Sequence, residues 1–175
     1  MINHHNHPDP AVAELVTQSL RLFGRLSEEI QSAPEPTSAN APAVPEPAYD
    51  LPTLLATVEQ LCEQEDWRNA LPIASQLFVR QHRDPRVAYL LASCLQRLGQ
   101  NAVALSAYIH CTHLEDDAPT PGPLFRAGEC LAALGRNSEA LVAFDAAIEL
   151  SRSDACHSDL LAFAIEKADV LRALH

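Results

Sequence analysis

The side chains best suited to chemistry are thinly spread along this chain. His4, His5 and His7 gather imidazoles near the N-terminus, and His110, Cys111 and His113 group two imidazoles with a thiol in mid-chain. A transition-metal site needs converging ligands, held by a fixed scaffold and by partners behind them. A polar, His-rich tail offers no such scaffold. On a helix Cys111 falls on the packed side while His110 and His113 lie near the outer face, so those three do not converge. The remaining cysteines, Cys62, Cys94, Cys130 and Cys156, form no C-x-x-C pair. An odd number of scattered cysteines, with no basic-then-apolar leader, reads as reduced thiols in a cytoplasm. No glycine-rich phosphate loop follows a strand pattern, and no spacing recommends a Ser-His-Asp or Cys-His nucleophile. The chain is therefore expected to be no enzyme and to carry no cofactor and no metal. What remains is binding.

Binding requires elements that present a surface, and these are legible as a repeat. From Ala88 the chain runs Leu91-Ala92, Cys94-Leu95, Leu98-Gly99, Ala104, Tyr108 and Cys111; from Leu124 it runs Ala127-Gly128, Cys130-Leu131, Leu134-Gly135, Ala140, Phe144 and Ala147. Small, large and glycine positions recur in the same order. A period in the mid-thirties marks a helical-hairpin solenoid, whose units bury their faces only against neighbours. The units tile as 51–84, 85–118 and 121–154, with Pro119-Thr120 inserted before the third. The first copy is the most degenerate, with Glu65 in place of the turn glycine and Pro72 early in its second helix. If that helix starts near Asn69, the proline sits harmlessly in the first turn. Leu160, Leu161, Ala164, Ile165, Ala168, Leu171 and Leu174 predict a last amphipathic helix in 155–175 that covers the open end.

Composition agrees. Hydrophobic residues make up 47% of the 175, but aromatics only 5%, so the apolar content is mostly helix-forming Ala and Leu. The net charge of −11 disfavours a nucleic-acid or anionic-membrane partner. No apolar run approaches the roughly 20 residues that span a bilayer. The chain is expected to be all-α: three helical hairpins and a C-terminal cap in 51–175, preceded by further segments. These are a polar tail over 1–10, an amphipathic helix over 11–32 and a Pro-rich linker over 33–50. Val12, Val16, Leu20, Phe23, Leu26 and Ile30 make the apolar stripe of that first helix. It either docks on the array as a cap or pairs with a second copy; self-association through Val16, Leu20, Phe23 and Leu26 is the favoured reading.

The hairpin positions resemble the tetratricopeptide repeat, with Leu124, Ala127, Gly128, Leu131, Ala140 and Phe144 in the third copy and Ala88, Leu91, Ala92, Leu95, Ala104 and Tyr108 in the second. A narrower likeness lies in Asp84-Pro85-Arg86, Gly99-Gln100, Ser106-x-Tyr108 and Pro123-Leu124-Phe125-Arg126-Ala127-Gly128-Glu129-Cys130-Leu131. In these segments the chain resembles the class II chaperones of type III secretion systems. The resemblance covers about residues 51–175 and implies three tetratricopeptide repeats, a bacterial cytoplasmic location, possible homodimers through the N-terminal segment, and hydrophobic translocator proteins as cargo.

In such arrays the first helix of each pair lines the concave face, at repeat positions two, five, nine and twelve. Those positions hold Leu55, Glu59 and Cys62 in the first copy, Arg86, Tyr89, Ser93 and Gln96 in the second, and Phe125, Glu129 and Ala132 in the third. This mixture of apolar anchors with donors and acceptors suits an extended peptide. Each residue also has a plainer reading. Tyr89 and Phe125 serve equally as core aromatics, and Glu59 and Glu129 as a solvated helix face. The expected function is an ATP-independent chaperone that sequesters an apolar segment of a translocator in the concave groove before export. The alternative is a scaffold or regulatory adaptor that binds a folded partner.

Overall fold

A computed structural model describes residues 50–115, 119–153 and 155–173. The tail, amphipathic helix and linker expected within 1–49, and with them Val16, Leu20, Phe23 and Leu26, lie outside the described residues. Seven α-helices follow one another: α1 (Leu51–Glu63), α2 (Trp67–Arg80), α3 (Pro85–Arg97), α4 (Asn101–Leu114), α5 (Pro121–Ala133), α6 (Asn137–Arg152) and α7 (Ser158–Arg172), with a short 3₁₀ turn over Ala155–His157 before the last. The described residues contain no strand. The fold is all-α, with three hairpins and a final helix.

Local chemistry starts and stops each hairpin. Proline opens α3 and α5 at their first residue and α1 at its second, where a missing N–H leaves no intrahelical bond unmade. The Asp84 carboxylate caps α3 by accepting from the Arg86 amide at 2.9 Å. The three tight turns are alike. In each, a left-handed residue and the residue after it donate their amides back to helix carbonyls in a Schellman motif: Glu65 to Cys62 and Asp66 to Leu61, Gly99 to Gln96 and Gln100 to Leu95, Gly135 to Ala132 and Arg136 to Leu131. The φ values are 57° at Glu65, 78° at Gly99 and 75° at Gly135. The degenerate first repeat thus keeps the turn but forces it on a residue with a Cβ.

Two packed clusters hold the array. Leu54, Val58, Ala70, Ala74, Leu77, Val87 and Cys94 form a smaller one around α1, α2 and α3. A larger one runs from Ala92 on α3 to Leu171 on α7 and includes Tyr108, Leu124, Phe125, Phe144 and Ile148. Gly128 on α5 shows why a small residue recurs at that repeat position. A Cβ placed there would lie 2.7 Å from the Phe144 ring, so the ring occupies the volume of the missing side chain.

Two details differ from expectation. Helix α2 begins at Trp67, capped by Asp66 through the Asn69 amide, so Pro72 lies inside the helix and beyond its first turn. The Asp66 cap captures two more residues for the helix than the proline alone suggested. On α7, Ala164, Ala168 and Leu171 face the core, whereas Ile165 is 38% exposed beside the still more open Phe163 and Val170. Single-helix periodicity cannot tell the centre of an apolar stripe from its edge. No helix among the described residues is long and apolar enough to cross a membrane.

Candidate functional site

The first helices of the hairpins, α1, α3 and α5, together with α7, surround a cleft of about 470 Å³. Its walls include Glu59 from α1, Arg86, Tyr89 and Leu90 from α3, Gly122 and Pro123 from α5, and His157 and Leu160 at the start of α7. Three of the ten predicted contacts, Glu59, Arg86 and Tyr89, meet here. The Tyr89 ring packs beside position two of the third repeat, 3.7 Å from where a Gly122 Cβ would stand, which is ordinary van der Waals contact. Arg86 is held at the rim by the Asp84 carboxylate, 2.8 Å from Nη2. That hydrogen bond is the main reason Asp84 ionises below the usual carboxylate range.

A polar chain runs along the same face between α3, α4 and α5. The Tyr108 hydroxyl donates to Gln96 Oε1 at 2.8 Å, which leaves it to accept from Ser93 Oγ at 3.2 Å. Gln96 Nε2 donates to Glu129 Oε2 at 3.0 Å, and Arg126 Nη1 donates to the same oxygen at 2.9 Å. The Tyr89 hydroxyl is close enough to Arg126 to favour its charged form. Burial raises the Tyr108 phenol well above its ordinary value, so it remains a donor throughout the physiological range. For Arg126 burial works against the charge, but Tyr89 and the bond to Glu129 outweigh it and hold the guanidinium protonated. Ser93, Gln96 and Glu129, predicted singly, are therefore one connected set, and the Tyr89 ring stands edge-on to Tyr108 beside it.

The other predicted residues sit apart. Phe125 is only 7% exposed and packs at 5.7 Å, tilted, against Phe144, with the Arg126 guanidinium 5.8 Å from its ring centroid. Its ring belongs mainly to the larger core cluster and offers little surface to a ligand. Leu55 is half-buried against the smaller cluster. Cys62 lies with its sulfur 3.8 Å from that of Cys94. Ala132 lines, with Glu129, Phe144, Lys167, Val170 and Leu171, a second cleft of about 270 Å³ between α5 and α7.

Several residues of the cleft and of the polar chain escape a reading by repeat position. Arg126 carries an i,i+3 partner in Glu129, a signal present in the sequence. Glu115 and Thr120 do not: the Thr120 amide and hydroxyl both donate to the Glu115 carboxylate at 2.9–3.0 Å, tying the inserted residue back across the loop. In mid-chain, His110 bonds the His82 carbonyl at 2.7 Å and stands edge-on to Phe78, while the Cys111 thiol donates to the Pro85 carbonyl. Among the described residues no three His, Cys, Asp or Glu side chains are grouped to hold a metal.

Residues 63–147 match the family model of anaphase-promoting complex, cyclosome, subunit 3. Comparison with curated protein sequences gives no match. Among solved structures, PcrH of Pseudomonas aeruginosa in complex with the chaperone binding region of PopD is 28% identical. The similarity covers 70% of this chain and 91% of that one, with a TM-score of 0.66. The chain shares its fold with solved type III secretion translocator chaperones. Two further structures share the fold. SycD of Yersinia enterocolitica, in complex with a peptide of the translocator YopD, is 23% identical, covers 70% of this chain and 92% of its own, and has a TM-score of 0.66. A type III secretion complex from Aeromonas hydrophila is 22% identical over 94% of this chain and 97% of its own, also at 0.66. The chaperone likeness read from residues 84–150 thus agrees with the solved structures, and the larger polar network lies within that stretch.

Proposed function

We propose that this protein is a bacterial cytoplasmic chaperone that holds an extended, apolar segment of a type III secretion translocator in the concave groove, without nucleotide. The observation that carries this is the cleft formed by Tyr89, Leu90, Pro123 and Leu160, rimmed by Glu59, Arg86 and His157. Apolar walls with a few polar groups at the edge suit side chains of an extended peptide, whose exposed backbone needs donors and acceptors. The likeness to PcrH and SycD, each solved with a translocator segment, supports the same class of cargo here. Leu55, Glu59, Cys62, Arg86, Tyr89, Ser93, Gln96, Glu129 and Ala132 are the proposed contacts, with Phe125 acting mainly by shaping the floor beneath Arg126. Holding cargo works by mass action: a bound segment is unavailable for self-assembly or insertion.

The test is titration of a labelled peptide from the chaperone binding region of PopD into the full chain, followed by fluorescence anisotropy. Tyr89→Ala is expected to weaken binding about 10-fold, equivalent to about 1.4 kcal/mol, while the far-ultraviolet circular dichroism stays unchanged. Equal affinity in Tyr89→Ala and in Arg86→Glu overturns the groove. Failure to bind any extended peptide, with capture of a folded partner, favours the scaffold reading instead. Residues 11–32 are proposed to pair two copies; sedimentation of the same samples reads this, and an unchanged dimer mass in Leu20→Glu/Phe23→Glu rejects it.

A further inference from the structure

Two of the five cysteines meet across the boundary between the first two repeats. Cys62, at the twelfth position of its repeat, ends α1; Cys94, at the tenth position of the next, lies in α3. Their sulfurs are 3.8 Å apart, in van der Waals contact, and Cys94 is fully buried in the smaller core cluster while Cys62 is half-buried at its edge. A disulfide needs the sulfurs at about 2.05 Å, so bond formation requires them to close by under about 2 Å. We infer that Cys62 and Cys94 are a dithiol–disulfide site that locks the first hairpin to the second.

The step runs through a low-molecular-weight disulfide of the glutathione type. The half-exposed Cys62 thiolate attacks one sulfur of that reagent, its S–S bond breaks, and one small thiol leaves. Cys94, once deprotonated, attacks the Cys62 sulfur, forms the protein disulfide and expels the second small thiol. Two electrons pass from the protein to the reagent, and the two cysteine protons end on the two released thiols. Access dictates the order, since a buried Cys94 cannot meet the reagent first. Burial raises both thiols above their ordinary range, Cys94 to about 12, so the exchange is slow at neutral pH and faster in mild alkali. The other thiols are placed differently. The Cys111 sulfur is spent on the Pro85 carbonyl at 3.2 Å, Cys130 is buried in the larger cluster, and Cys156 lies exposed near the start of α7.

The bond would matter mechanically. The first hairpin is held by the smaller of the two clusters, and Cys94 is one of its buried members. A link from α1 to α3 closes the chain from 62 to 94 and opposes separation of that hairpin. It also removes the Cys62 thiol from the concave face.

The test oxidises the full chain with glutathione disulfide at pH 8.5, alkylates the remaining thiols and digests with trypsin. The expected product is Leu26–Arg68 joined to Val87–Arg97, in the wild type and in Cys156→Ser alike. The oxidised chain should melt several degrees higher than the reduced one, and dithiothreitol should reverse the shift. In Cys62→Ser, Cys94 should stay alkylatable after unfolding. Complete alkylation of Cys62 in the oxidised wild type, or its recovery only in a link to Cys156, overturns the site. So does a linked chain that melts lower than the reduced form, because a pre-positioned pair forms its bond without distorting the fold.

Discussion

At the scale of single residues, small side chains carry more of this fold than large ones. Gly128 exists for Phe144: the ring is buried and fills the place of a Cβ at 2.7 Å. Gly128→Ala gains about 1 kcal/mol of helix propensity but overpacks the core at a cost of about 1–3 kcal/mol. The steric cost should win, lowering the melting temperature. Adding Phe144→Leu should recover part of the loss, and a double-mutant cycle with no coupling would show that the contact does not set the price. The polar residues between α3, α4 and α5 show the opposite logic. Ser93, Gln96, Glu129 and Arg126 each look like ordinary solvated side chains in the sequence. Together with Tyr108 they satisfy one another across three helices, which fixes their directions.

At the scale of elements, the three hairpin turns repeat one hydrogen-bond pattern with two glycines and one glutamate. A residue with a Cβ in the left-handed region costs about 1–2 kcal/mol, partly offset by the extra backbone freedom a glycine loses on folding. Glu65→Gly is therefore expected to stabilise the chain by up to about 1 kcal/mol, read as a higher denaturation midpoint with an unchanged slope. Gly99→Ala should move the midpoint the other way. A lower midpoint for Glu65→Gly would mean that its side chain makes a compensating contact. The same elements explain the misplacement of Pro72. Its sequence neighbourhood permits a helix start on either side, and the Asp66 side chain, accepting from the Asn69 amide and side chain, decides for the earlier one.

At the scale of the whole molecule, buried thiols link stability to alkaline pH. Cys94, Cys111 and Cys130 are each pushed up to about 12, chiefly by burial. Their folded values lie above the unfolded ones, so the folded chain binds more protons in the window between. The stability they contribute is complete below about pH 8.5 and is lost as pH rises toward 12. Each thiol steepens that loss by up to about 1.4 kcal/mol per pH unit. Unfolding monitored by circular dichroism between pH 8 and 11 should show this decline under reducing conditions, and Cys130→Ala should flatten it. Equal slopes in both proteins would show that Cys130 titrates alike in the folded and unfolded states.

Sequence alone determined what is local or strictly periodic. Hairpin order, the glycine turns at Gly99 and Gly135, and proline at the helix starts all follow from contacts a few residues apart, repeated every 34. Helical spacing alone puts positions two, five, nine and twelve on one face of each first helix. Tertiary structure decided which of those positions meet. Phe125 turns toward Phe144 rather than the cleft, Gln96 reaches Glu129 one repeat away, and the Cys62 sulfur touches that of Cys94. Those outcomes depend on the angle between successive hairpins. That angle is a sum over unequal packing, with Ala74 in the first repeat where the third has Phe144, and no single repeat contains it.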